Sequence, residues 1–162
     1  MKRILVIGCP GSGKSTFSKK LHNLTHLPLC HLDMLYWKAD KTTVESAVFL
    51  ERLAEILSEE AWIIDGNYAS TMELRMSACD TVLFLDYPPE LCLAGVRERM
   101  GKRRSDIPWV ETEEDPEFIE FINRFSVENR PQILALLERY ADKTIRVFKN
   151  RREAEEFLMG LI

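Results

Sequence analysis

Short apolar runs recur along the chain, separated by longer stretches in which apolar residues fall three or four apart. Ile4 to Ile7 is a continuous, mostly β-branched run. Trp62 to Ile64, Thr81 to Leu85 and Thr144 to Phe148 repeat that character, and a shorter run lies near Leu29 to Leu32. Runs of this length, apolar throughout, fit strands buried on both faces of a parallel sheet. The intervening periodicity predicts helices over Lys14 to Leu24, Val44 to Leu57, Glu90 to Met100, Glu117 to Tyr140 with a break near Pro131, and Arg152 to Met159. Leu50, Leu53, Ile56 and Leu57 form one core-facing stripe, and Ile133, Leu134, Leu136 and Leu137 another. Thr42 and Glu45 have capping-box spacing, and Pro89 suits the first turn of a helix. Strands alternating with helices predict an α/β fold in three layers, with about five parallel strands and helices on both faces. No repeat, low-complexity tract or linker divides residues 1–162, so a single domain is expected.

One segment breaks the pattern. Gly101 to Pro116 is polar, contains Pro108 as well as Pro116, and runs from a basic cluster into Glu111-Thr112-Glu113-Glu114-Asp115. Such a stretch between two helices reads either as a mobile lid over a site, spanning about 100–117, or as a solvated excursion.

The strongest chemical signal lies directly after the first strand. Gly8-Cys9-Pro10-Gly11-Ser12-Gly13-Lys14-Ser15 fits the phosphate-binding loop G-x-x-x-x-G-K-[ST], and its place between a strand and a helix gives the pattern its meaning. Glycines let backbone N–H groups turn inward as an anion nest, and the helix opening at Lys14 adds its positive end. The expected nucleotide contacts are Gly8, Pro10, Gly11, Ser12, Gly13, Lys14, Ser15 and Thr16, with the Ser15 hydroxyl placed to ligate Mg²⁺. ATP and Mg²⁺ are therefore the expected cofactors.

Phosphoryl transfer needs metal, in-line positioning and positive charge, so acids at strand ends and arginines beyond them are the next candidates. Asp33, Asp65 and Asp86 each follow a strand, on the side where parallel sheets bind ligands. Asp65 ends a run with Walker B character and is the candidate to hold Mg²⁺ through water. Asp33 is the candidate to orient or deprotonate the acceptor hydroxyl, while Asp86, before Tyr87-Pro88-Pro89, reads mostly as turn chemistry. Arg97, Arg99, Lys102, Arg103 and Arg104 crowd the start of the lid, and Arg124 and Arg130 lie on the returning helix. Arg99 and Arg124 are the expected stabilisers of the transferring group, with Arg103 beside the nucleotide.

Composition narrows the rest. The 162 residues are 46% hydrophobic and 30% charged with net charge −4, which disfavours nonspecific attraction to nucleic acid or anionic lipid. No apolar run approaches the length of a membrane span. The run after Met1-Lys2-Arg3 ends at Pro10, too short for a signal peptide, and Met159 to Ile162 carries no sorting signal. Cys9, Cys30, Cys79 and Cys92 lack C-x-x-C spacing and read as buried thiols of a reducing compartment, so a cytoplasmic location is expected. Cys9 is set apart because a thiol in an anion nest can be acidified. His22, His26, His31 and Cys30 match no common zinc spacing.

These stretches carry a resemblance. With Leu32-Asp33-Met34-Leu35-Tyr36-Trp37, Trp62-Ile63-Ile64-Asp65-Gly66-Asn67-Tyr68 and Asp80 to Pro88, the chain is similar to the adenylate kinase-like P-loop kinases. It most resembles the small proteins known as DNA-topology-modulation or FlaR-like proteins. The resemblance implies a nucleoside-monophosphate-kinase-like fold and transfer of the γ-phosphoryl group of ATP to a small acceptor, nucleotide or nucleoside-like. Asp65-Gly66 matches the adenylate kinase Asp-Gly-Phe-Pro-Arg motif, but Asn67-Tyr68 replaces Phe-Pro and no arginine follows. Arg75 or Arg52 would substitute, and the acceptor set expected from the resemblance is Asp33, Arg52, Asp65, Asn67, Tyr68, Arg75 and Arg130. Gly95 falls where the adenylate kinase pattern places a nucleotide-site arginine. Asp33 is also similar in position to the acid of small-metabolite kinases such as shikimate kinase. The alternatives are thus a kinase of that type, a nucleotide-switched NTPase, or a DNA-topology-associated protein. Neither the net charge nor any motif supports direct nucleic-acid binding.

Overall fold

A computed structural model describes residues 1–162. Five parallel strands form one sheet in the order β2-β3-β1-β4-β5: β1 Arg3–Gly8, β2 Leu29–His31, β3 Trp62–Asp65, β4 Thr81–Leu85 and β5 Thr144–Phe148. The three central strands are buried almost throughout, because helices cover both faces and leave no polar side for alternation. β2 and β5 are edges and are partly exposed.

Between the strands lie α1 Lys14–Thr25, α2 Leu32–Tyr36, α3 Ser46–Leu57, α4 Ala69–Ala78, α5 Pro89–Arg99, α6 Pro116–Glu128, α7 Arg130–Arg139 and the terminal α8 Arg151–Met159. Right-handed crossovers carry α1 to one face, where it meets α8, and α3 and α4 to the other. Phe17, Phe148 and Phe157 join α1, β5 and α8, with ring centroids 5.3 to 6.4 Å apart.

The five strands and the break near Pro131 stand where the periodicity put them, and Pro89 and Pro131 fall in first turns. Two helices escape the pattern. α2 is a single short segment that takes over Leu32 from the expected strand. The buried side of α4 includes Thr71 and Arg75 beside Met72 and Met76, so its inward face does not read as apolar. The capping box is also absent. Glu45 caps α3 without a side-chain bond, while Thr42 bonds Asp40 through both its N–H and its hydroxyl in a tight turn.

Strand register defines the working edge of the sheet. Val6 pairs with Asp65, His31 with Asp65, and Gly8 with Leu85, so the phosphate loop, Asp33 and Asp65 emerge side by side at the carboxyl ends.

Candidate active site

At that edge lies a cavity of about 1250 Å³ lined by the phosphate loop, Asp33, Asp65, Tyr68 and the lid segment. It is large enough for more than one small ligand. The N–H groups of Gly11, Gly13, Lys14, Ser15 and Thr16 find no acceptor within the protein, whereas Ser12 donates to the Cys9 carbonyl. Ser12 Oγ is buried and also lacks a partner. Gly11 and Gly13 hold positive φ of 83° and 91°, conformations that favour glycine. Free donors converging on one helix N-terminus fit a polyphosphate. Lys14 Nζ rests on the carbonyls of Gly8 and Cys9 at 2.8 and 3.2 Å, and burial pushes its pKa down against the charges of Asp65, Cys9 and Asp33.

Gly8 departs from expectation. Its N–H donates to Asn67 Oδ1 at 3.1 Å and its carbonyl accepts from Asn67 Nδ2, so it ties the loop to the β3 edge and offers no donor to phosphate. A Cβ there would stand 2.7 Å from the Leu85 carbonyl. Gly95 shows the same economy of space: a Cβ would lie 2.1 Å from the Gly11 carbonyl, so α5 approaches the phosphate loop where no arginine could fit. Cys9 is not acidified, because the adjacent Cys92 and burial push its thiol pKa up.

The acidic residues meet as expected. Asp65 is 5% exposed and bonds His31 Nδ1 at 2.7 Å. Asp33 accepts from the Tyr68 hydroxyl. Burial raises its pKa, outweighing that bond and the charge of Lys14. Asn67 and Tyr68 line the cavity beside them. No group of three or more His, Cys, Asp or Glu gathers where it could hold a metal ion. Mg²⁺ with a nucleotide needs only one or two protein oxygens, and Ser15 with Asp65 fits that need.

Most of the arginines do other work. Arg75 is 0% exposed, and its guanidinium donates to the carbonyls of Gly66 (2.9 Å), Asn67 (2.5 Å) and Tyr68 (3.0 Å) and to Thr71 Oγ1 (3.2 Å). Burial lowers its pKa to about 10. It shapes the Gly66–Tyr68 loop from beneath and does not line the cavity. Tyr68, at φ 26°, is held in a strained conformation by those bonds. Arg52 lies outside the cavity on the Leu35 carbonyl. Arg130 is held by Asp86 at 2.8 and 2.9 Å, with Lys149 on the same carboxylate, so Asp86 anchors α7 and the β5 end as a structural residue. Arg124 is exposed on α6 and pairs with Glu120 and Glu128 of its own helix. Arg103 is exposed and outside the cavity.

The segment from Gly101 to Pro116 folds on itself. Gly101 N–H donates to the Glu111 carbonyl at 2.6 Å. Arg99 and Arg104 both grip the Glu111 carboxylate, and Arg97 pairs with Glu114, so the basic arm is largely met by the acidic arm. Arg99 remains at the cavity, over the Phe118 ring. Asp106, 3% exposed, takes the Ser15 hydroxyl at 2.5 Å and the Arg104 guanidinium at 2.5 and 2.9 Å. Although burial pushes its pKa up, those two partners hold it well below the carboxylate range. Sequence reasoning missed Asp106 and the cavity-lining Arg151, and named Arg104 only as one of a basic cluster. The available signal was Ile107, an apolar residue within a polar lid and only 6% exposed.

No family model matches the chain, and no curated protein matches it either. Solved structures do. The shikimate kinase from Bacteroides thetaiotaomicron is 22% identical with TM-score 0.58, covering 99% of this chain and 96% of that one. The shikimate kinase from Aquifex aeolicus is 19% identical with TM-score 0.55, covering 98% and 92%. A shikimate kinase from Acinetobacter baumannii in complex with shikimate is 19% identical with TM-score 0.61, covering 99% and 93%. The chain thus has the α/β fold of these P-loop proteins over nearly its whole length.

Proposed function

We propose that the protein is an ATP- and Mg²⁺-dependent phosphotransferase that moves the γ-phosphoryl group of ATP to a hydroxyl of a small acceptor. The observation that carries this reading is the set of five unpaired amides and Lys14 facing the same cavity as Asp33. The amides and Lys14 hold the phosphates. Ser15 and Asp65, with Asp106 beside them, offer oxygens to Mg²⁺, which when bound offsets phosphate charge. Asp33 orients the acceptor hydroxyl and takes its proton as that oxygen bonds to the γ-phosphorus. The bond from this phosphorus to the β–γ bridging oxygen breaks, and ADP leaves. Arg99, which lines the cavity, would stabilise the transferring group.

A small-metabolite kinase of the shikimate kinase type is the second reading, favoured by the fold and by Asp33 at the cavity. The FlaR-like resemblance bears on the same loop, Asp33 and Asp65. Direct nucleic-acid binding is not part of the proposal, since Arg97, Arg99 and Arg104 are paired with acids. No helix is long and apolar enough to cross a membrane, and the four cysteines are free thiols, which supports a cytoplasmic location. The test is ADP release with ATP and a panel of nucleosides, nucleoside monophosphates and hydroxy acids. A true acceptor raises the rate well above the water background, and Lys14→Ala abolishes it with loss of ATP binding. Turnover unchanged in Lys14→Ala would refute the assignment, and a rate that no acceptor raises would leave an NTPase.

A further inference from the structure

The ends of β2 and β3 are cross-linked twice, and each link falls on a carboxylate of the site. His31 closes β2 and lies opposite Asp65, which closes β3. Its Nδ1 stands 2.7 Å from Asp65 Oδ2, and both side chains are largely buried. Asp33 follows shortly after His31, and Tyr68 shortly after Asp65, and the Tyr68 hydroxyl donates to Asp33. Each strand end thus supplies one carboxylate and the donor that holds the other. Between the two links Leu32, 0% exposed, packs so closely on Gly66 that a Cβ there would meet it at 2.9 Å, which fixes the spacing of the two ends.

The partners of the first link differ in where they sit. Asp65 lines the cavity and His31 does not, so the imidazole stands behind the carboxylate. An ionised carboxylate only accepts, so Nδ1 carries the proton and donates to Oδ2. The other oxygen, Oδ1, makes no hydrogen bond within the protein and is not sealed in the core. The charge of Asp65 reaches Lys14 on the phosphate loop. A carboxylate rotates readily about its last bond, but one pinned at a single oxygen presents the other in a set direction.

We propose that His31 is a positioning residue of the metal site: by holding Asp65 Oδ2 it keeps Oδ1 turned to the cavity, set to meet through water the Mg²⁺ that accompanies the nucleotide. This rests on the kinase reading above, in which Asp65 addresses the metal, and deepens it. The imidazole supplies no ligand of its own. It orders the carboxylate in advance, so that binding does not bear the cost of ordering it.

The experiment measures the affinity of a fluorescent, non-hydrolysable ATP analogue twice, with Mg²⁺ and with EDTA, and takes the ratio as the contribution of the metal. His31→Leu should lower that ratio about tenfold while leaving the EDTA affinity within about twofold of the wild type. His31→Asn, whose amide can stand near the Nδ1 position, should restore the ratio to within about threefold, whereas His31→Gln, whose amide reaches to the Nε2 position, should not. In an Asp65→Asn background, His31→Leu should change the ratio by less than about twofold, since the carboxylate it orients is gone. His31→Gln keeps a polar group in place and carries the comparison should His31→Leu fail to fold. Failure of the wild type to bind the analogue defeats the kinase reading, and binding indifferent to Mg²⁺ defeats the metal role of Asp65; either takes this inference with it. With both intact, two results overturn the assignment of His31 alone. One is a wild-type ratio in His31→Leu and His31→Gln. The other is equal weakening in Mg²⁺ and in EDTA, the mark of a tie that only joins two strands.

Discussion

The Ser15 hydroxyl at the start of α1 donates to the Asp106 carboxylate at 2.5 Å, across 91 positions of sequence. A lid residue thereby sits on the oxygen that the loop motif reserves for metal, and Arg104 holds it there. This contact ties the 101–116 segment to the phosphate loop, as a latch would a lid.

Cutting the latch should loosen the lid. Asp106→Ala leaves the Ser15 hydroxyl without its partner and Arg104 with Glu111 alone, and should destabilise the seated segment by about 2 kcal/mol. Limited proteolysis within residues 101–116 should accelerate correspondingly. Because the folded-state pKa of Asp106 is depressed, its contribution is present above the ordinary carboxylate value and is lost only as pH falls through the depressed one. Lid protection in the wild type should therefore stay flat down to about pH 5. Onset of lid cleavage above that pH would contradict the latch.

If Asp33 takes the acceptor proton as proposed, Asp33 and Tyr68 should govern the acid limb of turnover. Burial raises the Asp33 pKa and the Tyr68 hydroxyl opposes that rise. The reaction needs the carboxylate ionised, so activity should fall with decreasing pH at a value above the ordinary carboxylate range. Tyr68→Phe removes the bond that favours the ionised form and should move that limb to higher pH. Asp33→Asn should lower kcat by roughly 10²- to 10⁴-fold. A limb that shifts downward in Tyr68→Phe would rule out the assignment.

Gly95→Ala tests the approach of α5 to the phosphate loop. The added Cβ would meet the Gly11 carbonyl at 2.1 Å, so the backbone must move. A loss of about 1–3 kcal/mol is expected in thermal unfolding, together with weaker binding of a fluorescent ADP analogue. Equal affinity and stability would mean that the loop has slack.

Arg75→Met isolates a positioning role. The shorter apolar chain fills the stem of the arginine but leaves the carbonyls of Gly66, Asn67 and Tyr68 without their donor, at a cost of about 3 kcal/mol in chemical denaturation. The nucleotide affinity should change little, since the phosphate loop does not touch Arg75, while acceptor KM rises. The opposite split would place Arg75 in the nucleotide site.

The sequence alone determined the sheet and the phosphate loop. Ile4 to Ile7 and its counterparts are apolar because both faces of β1, β3 and β4 are covered, and Gly8 to Ser15 needs only local backbone geometry to form its nest. Asp33 and Asp65 were legible for a related reason: strand direction alone sends residues at strand ends to one edge. The arginines were not, because a guanidinium reaches far and its partner is set by what folds beside it. Arg75 turned inward to satisfy three carbonyls, Arg130 was taken by Asp86, and Arg124 by its own helix. Tertiary structure alone decided that Asp106 meets Ser15 and Trp37 meets Trp109, since in each case the lid brings together groups that no local spacing relates.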